Sequence, residues 1–340
     1  MSWGAYLVRR LVAGVAVLAA VSVVTFFVAR VVPSDPAALY VGPRPRKEQV
    51  ERVREKLALD RPLPQQYVTY VGDLLTGDLG ISLRSKRAIV TDLRAFLPAT
   101  LELVVIATLL SLLIGIPLGV YSGARPNSAV DHLTRVVSIA GVSLPTFWLA
   151  LILQLVFFRW LGVLPLGGRL SNEVALQDPV QVASGFYLID TVITGNWVAF
   201  RDALAHIILP AVTLATYPIG LVTRMTRSAM VEVLSERYVT AARAQGIKER
   251  TIRFRLALKN AILPTLTVLG LTFAYSITGA FLVEIVFAWP GVGTYVTQAV
   301  LSVDFPVIIG VTLVVTAIYL FINLVVDVLH ALLDPRVTLT

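Results

Sequence analysis

Apolar residues fall in long blocks along this chain, separated by polar stretches of very unequal length. Six blocks reach or approach the roughly 20 apolar residues an α-helix needs to cross a bilayer core. They predict spans at about 11–29, 99–121, 136–160, 207–222, 261–287 and 307–329. Strand-length segments of alternating polarity are scarce, which favours a helical bundle over a barrel. Gly115, Pro117 and Gly119 lie near the end of the second block, Pro145 inside the third, and Pro210 and Pro218 inside the fourth. Membrane helices tolerate Pro and Gly because neighbours or water satisfy the freed backbone groups, so these positions predict bends rather than breaks.

The first block follows Arg9 and Arg10 and is itself followed by Arg30 and Pro33. A cleaved signal peptide has a shorter apolar region and a small-residue cleavage site, so a retained span is expected. Residues 33–97 are hydrophilic, with a charged, helix-like patch, KEQVERVREKLALD, and are numerous enough for a small extramembrane subdomain. The connection 161–206 is also long and holds a short apolar patch, SGFYLIDTVI, which fits a partly buried hairpin, an interfacial helix or a seventh span. The patch is too short to cross alone. These divisions give an N-terminus and first span at 1–32, a loop subdomain at 33–97, and a core domain at 98–340 that carries five further spans and a loop at about 224–260.

Composition agrees with the membrane reading: 56% of residues are hydrophobic, 15% are charged, and mean hydropathy is +0.79. The net charge of +8 resides in membrane-flanking loops, where topology explains it without nucleic acid. The absence of cysteine excludes thiolate metal sites, disulfides and cysteine nucleophiles. Arg125 and Arg135 lie in the second loop, nine Lys or Arg lie between Arg224 and Lys259, and none lies in 288–306. Loops two and four and both termini are therefore expected to be cytoplasmic. Eleven basic residues in 33–97 point the other way, but that loop exceeds the length over which the charge bias is informative.

Catalytic chemistry is hard to find. His132, His206 and His330 are far apart and none has HExxH spacing; GVSLP at Gly141 lacks the last glycine of a nucleophile elbow; no Walker A loop occurs. No catalytic or metal-ligating residue is assigned. The carboxylates expected within spans, Glu102, Glu284 and Asp327, lie toward span ends rather than at the midplane. Solvation or pairing with a neighbouring helix is the simpler account of them, and substrate contact the other.

The basic loop is more informative. Its charges alone fit the positive-inside rule or anionic lipid. Its arrangement adds TAARAQG, a helix-forming run of small residues stopped by Gly246, the residue type best suited to a left-handed helix end. Ala241, Ala242 and Ala244 present little bulk, so another surface could approach the backbone closely. A second helical run, ERTIRFRLALKNAIL, leads to Pro264. The pattern predicts a short transverse helix held on two helical stems.

This segment resembles the EAA loop of ABC-importer permeases, whose coupling helix docks into a groove on an ATPase subunit. The motif is Glu-Ala-Ala, three residues, Gly, and later Leu-Pro; Thr240, Ala241, Ala242, Gly246, Leu263 and Pro264 occupy those places. Thr240 replaces the motif's glutamate, and the Gly-to-Pro interval is longer than in sugar permeases. Both departures are similar to the dipeptide/oligopeptide/nickel branch. Further matches run along nearly the whole chain: LDRPLPQQY, GDLGIS, LPATLEL, GVSLPTFWLAL, LGVLPLGG, LPAVTLATYPIGLVTRMTRSAM, VEIVFAWPGVGTYV and VVDVLHALLDPRV. Each is weak alone; in this order they are specific. Residues 172–196 match poorly and look like an enlarged external loop.

The resemblance implies an all-α, six-helix transmembrane bundle of the type I ABC importer permease kind with a large first external loop, in a bacterial or archaeal cell membrane. It implies a B-type permease without enzymatic activity, in the lipid bilayer, with a homologous second permease, two ATPase subunits or domains and an external substrate-binding protein as partners. Mg-ATP would be bound by the ATPases and no cofactor by this chain. Coupling to the ATPases would fall to Thr240, Ala241, Ala242, Arg243, Gly246 and Ile247. Short peptides are the implied substrates, with nickel chelates, haem and other peptide-like solutes as alternatives, and a stand-alone secondary carrier as the remaining one. Gln154, Thr216, Tyr217, Tyr275 and Ser276 are candidates to line the pathway. Pro145, Pro210, Pro218, Gly270 and Gly279 could shape it, or simply pack helices.

Overall fold

A computed structural model describes residues 3–31, 37, 41, 46–56 and 59–333. The start of the hydrophilic segment at Pro33, the C-terminus and the end of its motif from Asp334 lie outside the described residues. Among the described residues the regular secondary structure is helical apart from one antiparallel bridge, Ile81 to Ala88. In order, the helices are α1 (Trp3–Val31), α2 (Lys47–Lys56), α3 (Leu63–Leu75), α4 (Ile89–Ala124), α5 (Ala129–Ser143) and α6 (Thr146–Leu153, continued by a π-helical turn, Gln154–Trp160). Then come α7 (Asn172–Gln177), α8 (Tyr187–Thr194), α9 (Trp197–Leu234) and α10 (Arg237–Ala244). The element α11 runs from Glu249–Thr251 through a π-helical stretch, Ile252–Ala257, into Leu258–Val286; α12 (Val292–Leu301) and α13 (Phe305–Leu333) follow.

Helices α1, α4, α9, α11 and α13 are long and apolar enough to cross a membrane. The third expected span, 136–160, is a pair: α5 and α6 meet at 107°. Pro145 therefore breaks this span rather than bending it. Steric conflict with the proline ring pushes the preceding residue out of the helical region. Leu144 accordingly sits at φ −74° and ψ 131°, and α5 ends before it. The patch SGFYLIDTVI forms α8, eight residues long, and so is not a seventh span.

Two helices greatly exceed a bilayer's needs. The 38 residues of α9, at about 1.5 Å each, extend roughly 57 Å against a hydrocarbon core of about 30 Å. Its surplus, and that of α11 before Leu258, forms the two stems expected on either side of α10.

Among the described residues, 98–294 and 322–333 form one compact unit. Here α9 packs along α11 and α5, through residues too small to hold the backbones apart. Gly115, Gly119 and Gly123 recur every fourth residue on α4 and abut α9: a Cβ on Gly115 would come within 2.7 Å of Val222, and one on Gly123 within 2.7 Å of Met230. Gly115 and Gly119 thus serve close packing, and α4 continues through Pro117 as a single helix. Gly270 receives Val326 in the same manner. Pro210 and Pro218 are buried within α9.

The second unit comprises residues 1–97 with 295–321 among those described. Phe26 of α1 packs against Tyr67 and Tyr70 of α3, with ring centroids 5.3 and 5.5 Å away, and Ser22 shares a 2.8 Å hydrogen bond with Tyr67. After α3, a tight turn spans 80–89, closed by Ser82 N to Arg87 O at 3.0 Å and Ile89 N to Gly80 O at 3.0 Å.

Candidate functional site

The loop between α9 and α11 is built from its ends inward. Where the stems leave the bundle, Val120, Ala229, Met230, Ala257 and Ala261 form a buried cluster, flanked by Ile116, Phe254 and Leu258. Tyr121 meets Phe254 edge-on at 5.7 Å. Deeper in the same unit, the Thr226 and Thr265 hydroxyls share a 3.1 Å hydrogen bond. The stems are therefore packed against each other and against α4 rather than projecting freely.

Between the stems lies α10, and its end is a complete Schellman motif. The Gly246 N–H donates to the Arg243 carbonyl at 3.0 Å and the Ile247 N–H to the Ala242 carbonyl at 3.1 Å. Gly246 has φ +76°, the left-handed conformation that only glycine adopts without steric cost. Ile247 completes the motif by packing beside Val239, Ala242 and Ile252, a small core of the loop's own. Ala242 and Val239, three residues apart, thus face inward, and Ala242 is only 7% exposed. Thr240, Ala241, Arg243 and Ala244 face outward. The close approach expected of all three alanines is open only to Ala241 and Ala244. Arg243 donates to Glu249 at 2.8 Å, a bond between exposed partners that braces helix to stem and adds little stability.

A second feature joins the same stem to the bundle. The Asp131 carboxylate of α5 is fully buried and accepts from Arg227 of α9 through both oxygens, from the Ser122 hydroxyl at 2.7 Å, from the Asn127 N–H at 2.9 Å and from Arg135 at 3.0 Å. One side chain thereby ties together the ends of α4, α5 and α9. The sequence offered Arg135 and Arg227 only as counts in a charge tally; their common partner lies 96 residues from Arg227.

The five candidates for the pathway differ in their surroundings. Gln154 is buried and donates to the Leu166 carbonyl at 2.8 Å and the Val286 carbonyl at 3.0 Å, so it fastens the end of α6 to α11. Thr216 packs on Gly141 and donates to its own helix at Val212. Ser276 is buried, whereas Tyr217 and Tyr275 are exposed on α9 and α11. Of the carboxylates, Glu102 is buried and paired with Arg169, which also lies 3.6 Å over the Tyr187 ring. Glu284 accepts from Thr100 at 2.6 Å and from the Thr294 N–H at 3.2 Å, with Gly291 and Gly293 leaving room for it. Asp327 is half-buried. His206 hydrogen-bonds the Asp202 carbonyl at 2.7 Å, His132 lies 3.4 Å from Arg135, and the His330 side chain lies outside the described residues. No group of three or more potential metal ligands occurs among the described residues.

Comparison with known proteins finds relatives along nearly the whole chain. The family described as "Binding-protein-dependent transport system inner membrane component" matches residues 115–339, and the N-terminal region of the same membrane components matches residues 4–104. The chain is 47% identical over 323 residues to the "Probable D,D-dipeptide transport system permease protein" of Escherichia coli (strain K12), covering 95% of this chain and 94% of that one. It is 39% identical over 333 residues to a dipeptide transport system permease protein of Alkalihalophilus pseudofirmus, covering 98% and 99%. An oligopeptide transport system permease protein of Bacillus subtilis is 35% identical over 336 residues, covering 98% and 99%.

Proposed function

We propose, on the premise that this chain belongs to the family of binding-protein-dependent transport system inner membrane components, that it is a permease subunit of an ATP-driven importer of short peptides. It forms half of the translocation pathway beside a homologous permease, receives substrate from an external binding protein and takes its energy from two cytoplasmic ATPases. The observation that carries the coupling role is the outward face of α10, with Thr240, Ala241 and Ala244 exposed on a helix closed by Gly246 and held on two packed stems. A groove on an ATPase could seat there close to the backbone. Movement of the ATPases would pass through α9 and α11 because both run unbroken in the helical sense from the loop into the bundle. The peptide assignment rests on relatives named for dipeptides and oligopeptides that align over nearly the whole chain.

In this reading the loop 224–260 and both termini are cytoplasmic, the segment 33–97 is external, and Mg-ATP binds only to the partners. The direct test purifies the tagged chain from native membranes with its associated proteins and measures peptide-stimulated ATP hydrolysis and uptake after reconstitution. Ala241→Trp places bulk on the exposed face and is expected to lower ATPase recovery and uptake at least tenfold while membrane insertion is unchanged. Full coupling in that variant would remove α10 as the docking surface. Uptake of nickel chelate or haem in place of peptide would redirect the substrate assignment.

A further inference from the structure

Helix α8 carries its polarity inside out. Asp190 and Thr191 are fully buried, whereas Ile189, Val192 and Ile193, which share one face at spacings of three and four residues, are exposed, Ile193 by 71%. The buried side is satisfied within the fold: Asp190 accepts from the Ser184 hydroxyl at 2.7 Å and from the N–H groups of Ala183, Ser184 and Gly185, and the Thr191 hydroxyl donates to the Tyr187 carbonyl at 2.6 Å. The apolar face continues past Gly195 into Trp197 and Val198 at the start of α9, both exposed. The only charged residue in 187–198 is the buried Asp190. Such a surface turned to water would be costly.

Two membrane-crossing helices of the same unit fix the depth of this face. The Leu188 N–H donates to Glu102 Oε1 at 2.8 Å, and Arg169, paired with Glu102, donates to the Gly185 carbonyl at 2.8 Å. Gly185 in turn packs so closely on Pro98 that a Cβ would come within 2.7 Å of it. The start of α8 is thus held at the level of Glu102 on α4. Ser122, which ties the far end of α4 to Asp131, lies 20 positions later, and no residue between the two is charged. At about 1.5 Å per residue this is roughly 30 Å, the thickness of a hydrocarbon core. Along α9, Trp197 lies 27 positions before Arg224, roughly 40 Å, against about 40–45 Å for a bilayer with its headgroups. The face therefore lies in the interfacial layer of the leaflet opposite the Asp131 cluster.

We propose that the exposed face of α8 is seated in that leaflet, with Ile189, Val192 and Ile193 among the upper acyl carbons and Trp197 at the headgroups. Depth, the absence of charge and continuity with the apolar start of a membrane-crossing helix select lipid as the occupant. A soluble protein would call for a polar rim around the apolar patch. The polar side chains bordering this one are spent on the fold itself: Thr194 donates to the Asp190 carbonyl, and Asn196 bonds the Asp178 carbonyl and the Ala199 N–H. An interfacial helix ordinarily turns its polar side to water. Here protein takes that side, so α8 clamps the long connection 161–196 to the membrane surface. The inference needs α4 and α9 to cross the bilayer and does not depend on peptide import.

The test uses spin labels, which the cysteine-free chain accepts at one chosen position at a time. Ile189→Cys, Val192→Cys and Ile193→Cys probe the face, and Glu173→Cys on α7, also exposed, is the water-facing reference. Each full-length variant is placed in phosphatidylcholine nanodiscs with the membrane partners that accompany it and without any external binding protein. Power saturation then compares collision with oxygen, which partitions into lipid, and with nickel ethylenediaminediacetate, which stays in water. The oxygen-to-nickel collision ratio is expected to be at least fivefold higher at all three face positions than at the reference. A ratio equal to the reference places water against the face and overturns the proposal; if the nickel collisions then fall on addition of a binding protein, the face belongs to that protein. Weak collision with both reagents places protein there, such as a second permease, and overturns it as well. Amide protection at 183–185, which the Asp190 bonds supply, checks the fold of each variant, and three independent positions keep the test open if one fails. Loss of peptide uptake with the collision pattern intact would count against the importer reading alone.

Discussion

At Gly246 a single hydrogen atom in place of a side chain decides how α10 ends. Nothing surrounds the position within 4 Å, so substitution there meets backbone strain rather than a clash. Gly246→Ala is expected to cost about 1–2 kcal/mol, and Gly246→Asn less, read as faster amide exchange across 237–247 with the spans unaffected. The need for this glycine was legible in the sequence because it is local: a helix-forming run, a stop, and a new run. The inward turn of Ala242 was not read, although Val239 three residues earlier gives the signal for a buried stripe. Alanine is small enough for either face, and its contact with Ile252 depends on how the loop folds back.

Helices and their junctions obey longer-range rules. Asp131→Ala would leave Arg227 facing a cavity where its carboxylate had been, and loss of one partner of a buried pair costs about 3–5 kcal/mol. We expect a lowered thermal midpoint and weakened coupling, since α9 is the stem that Arg227 anchors. The connection before α8 behaves differently with pH. Burial pushes the Asp190 carboxyl up, but hydrogen bonds from the Ser184 hydroxyl and the N–H groups of Ser184, Gly185 and Ala183 outweigh it and hold the carboxyl below its ordinary 3.8. A depressed folded value means its contribution is present above the unfolded pKa and disappears as pH falls through the lower folded one. Amide protection at 183–185 should therefore be constant from pH 8 to about 5 and fall only below about 4, whereas Asp190→Asn should weaken it at every pH. Span existence was legible from apolar length, and helix lengths were not. The stems of α9 and α11 carry polar residues that a hydropathy reading assigns to loops, and the break at Pro145 depends on how Leu144 resolves its conflict with the ring.

For the whole molecule, the absence of cysteine in the sequence makes side-specific labelling direct. Single cysteines at Ala244 and at Val303 are each expected to react with an impermeant maleimide from one side only, Ala244 from the cytoplasm and Val303 from outside. The reverse pattern would invert the proposed topology, and reaction of both from the same side would remove α11, which lies between them, as a span. Membership in the transport family was legible because its motifs recur in order along the chain, while the Asp131 cluster joins residues separated by 96 positions. The π-helical stretch Ile252–Ala257 has a mechanical meaning at this scale. It stores an extra residue inside a helix that otherwise advances about 100° and 1.5 Å per residue. The loop and the membrane portion of α11 are therefore held at a set phase, like two gears on one shaft. Removing one residue from the stretch would let it close as ordinary α-helix with the loop's phase nearly unchanged, whereas removing one from the regular helix beyond Leu258 would turn the loop by about 100° relative to the bundle.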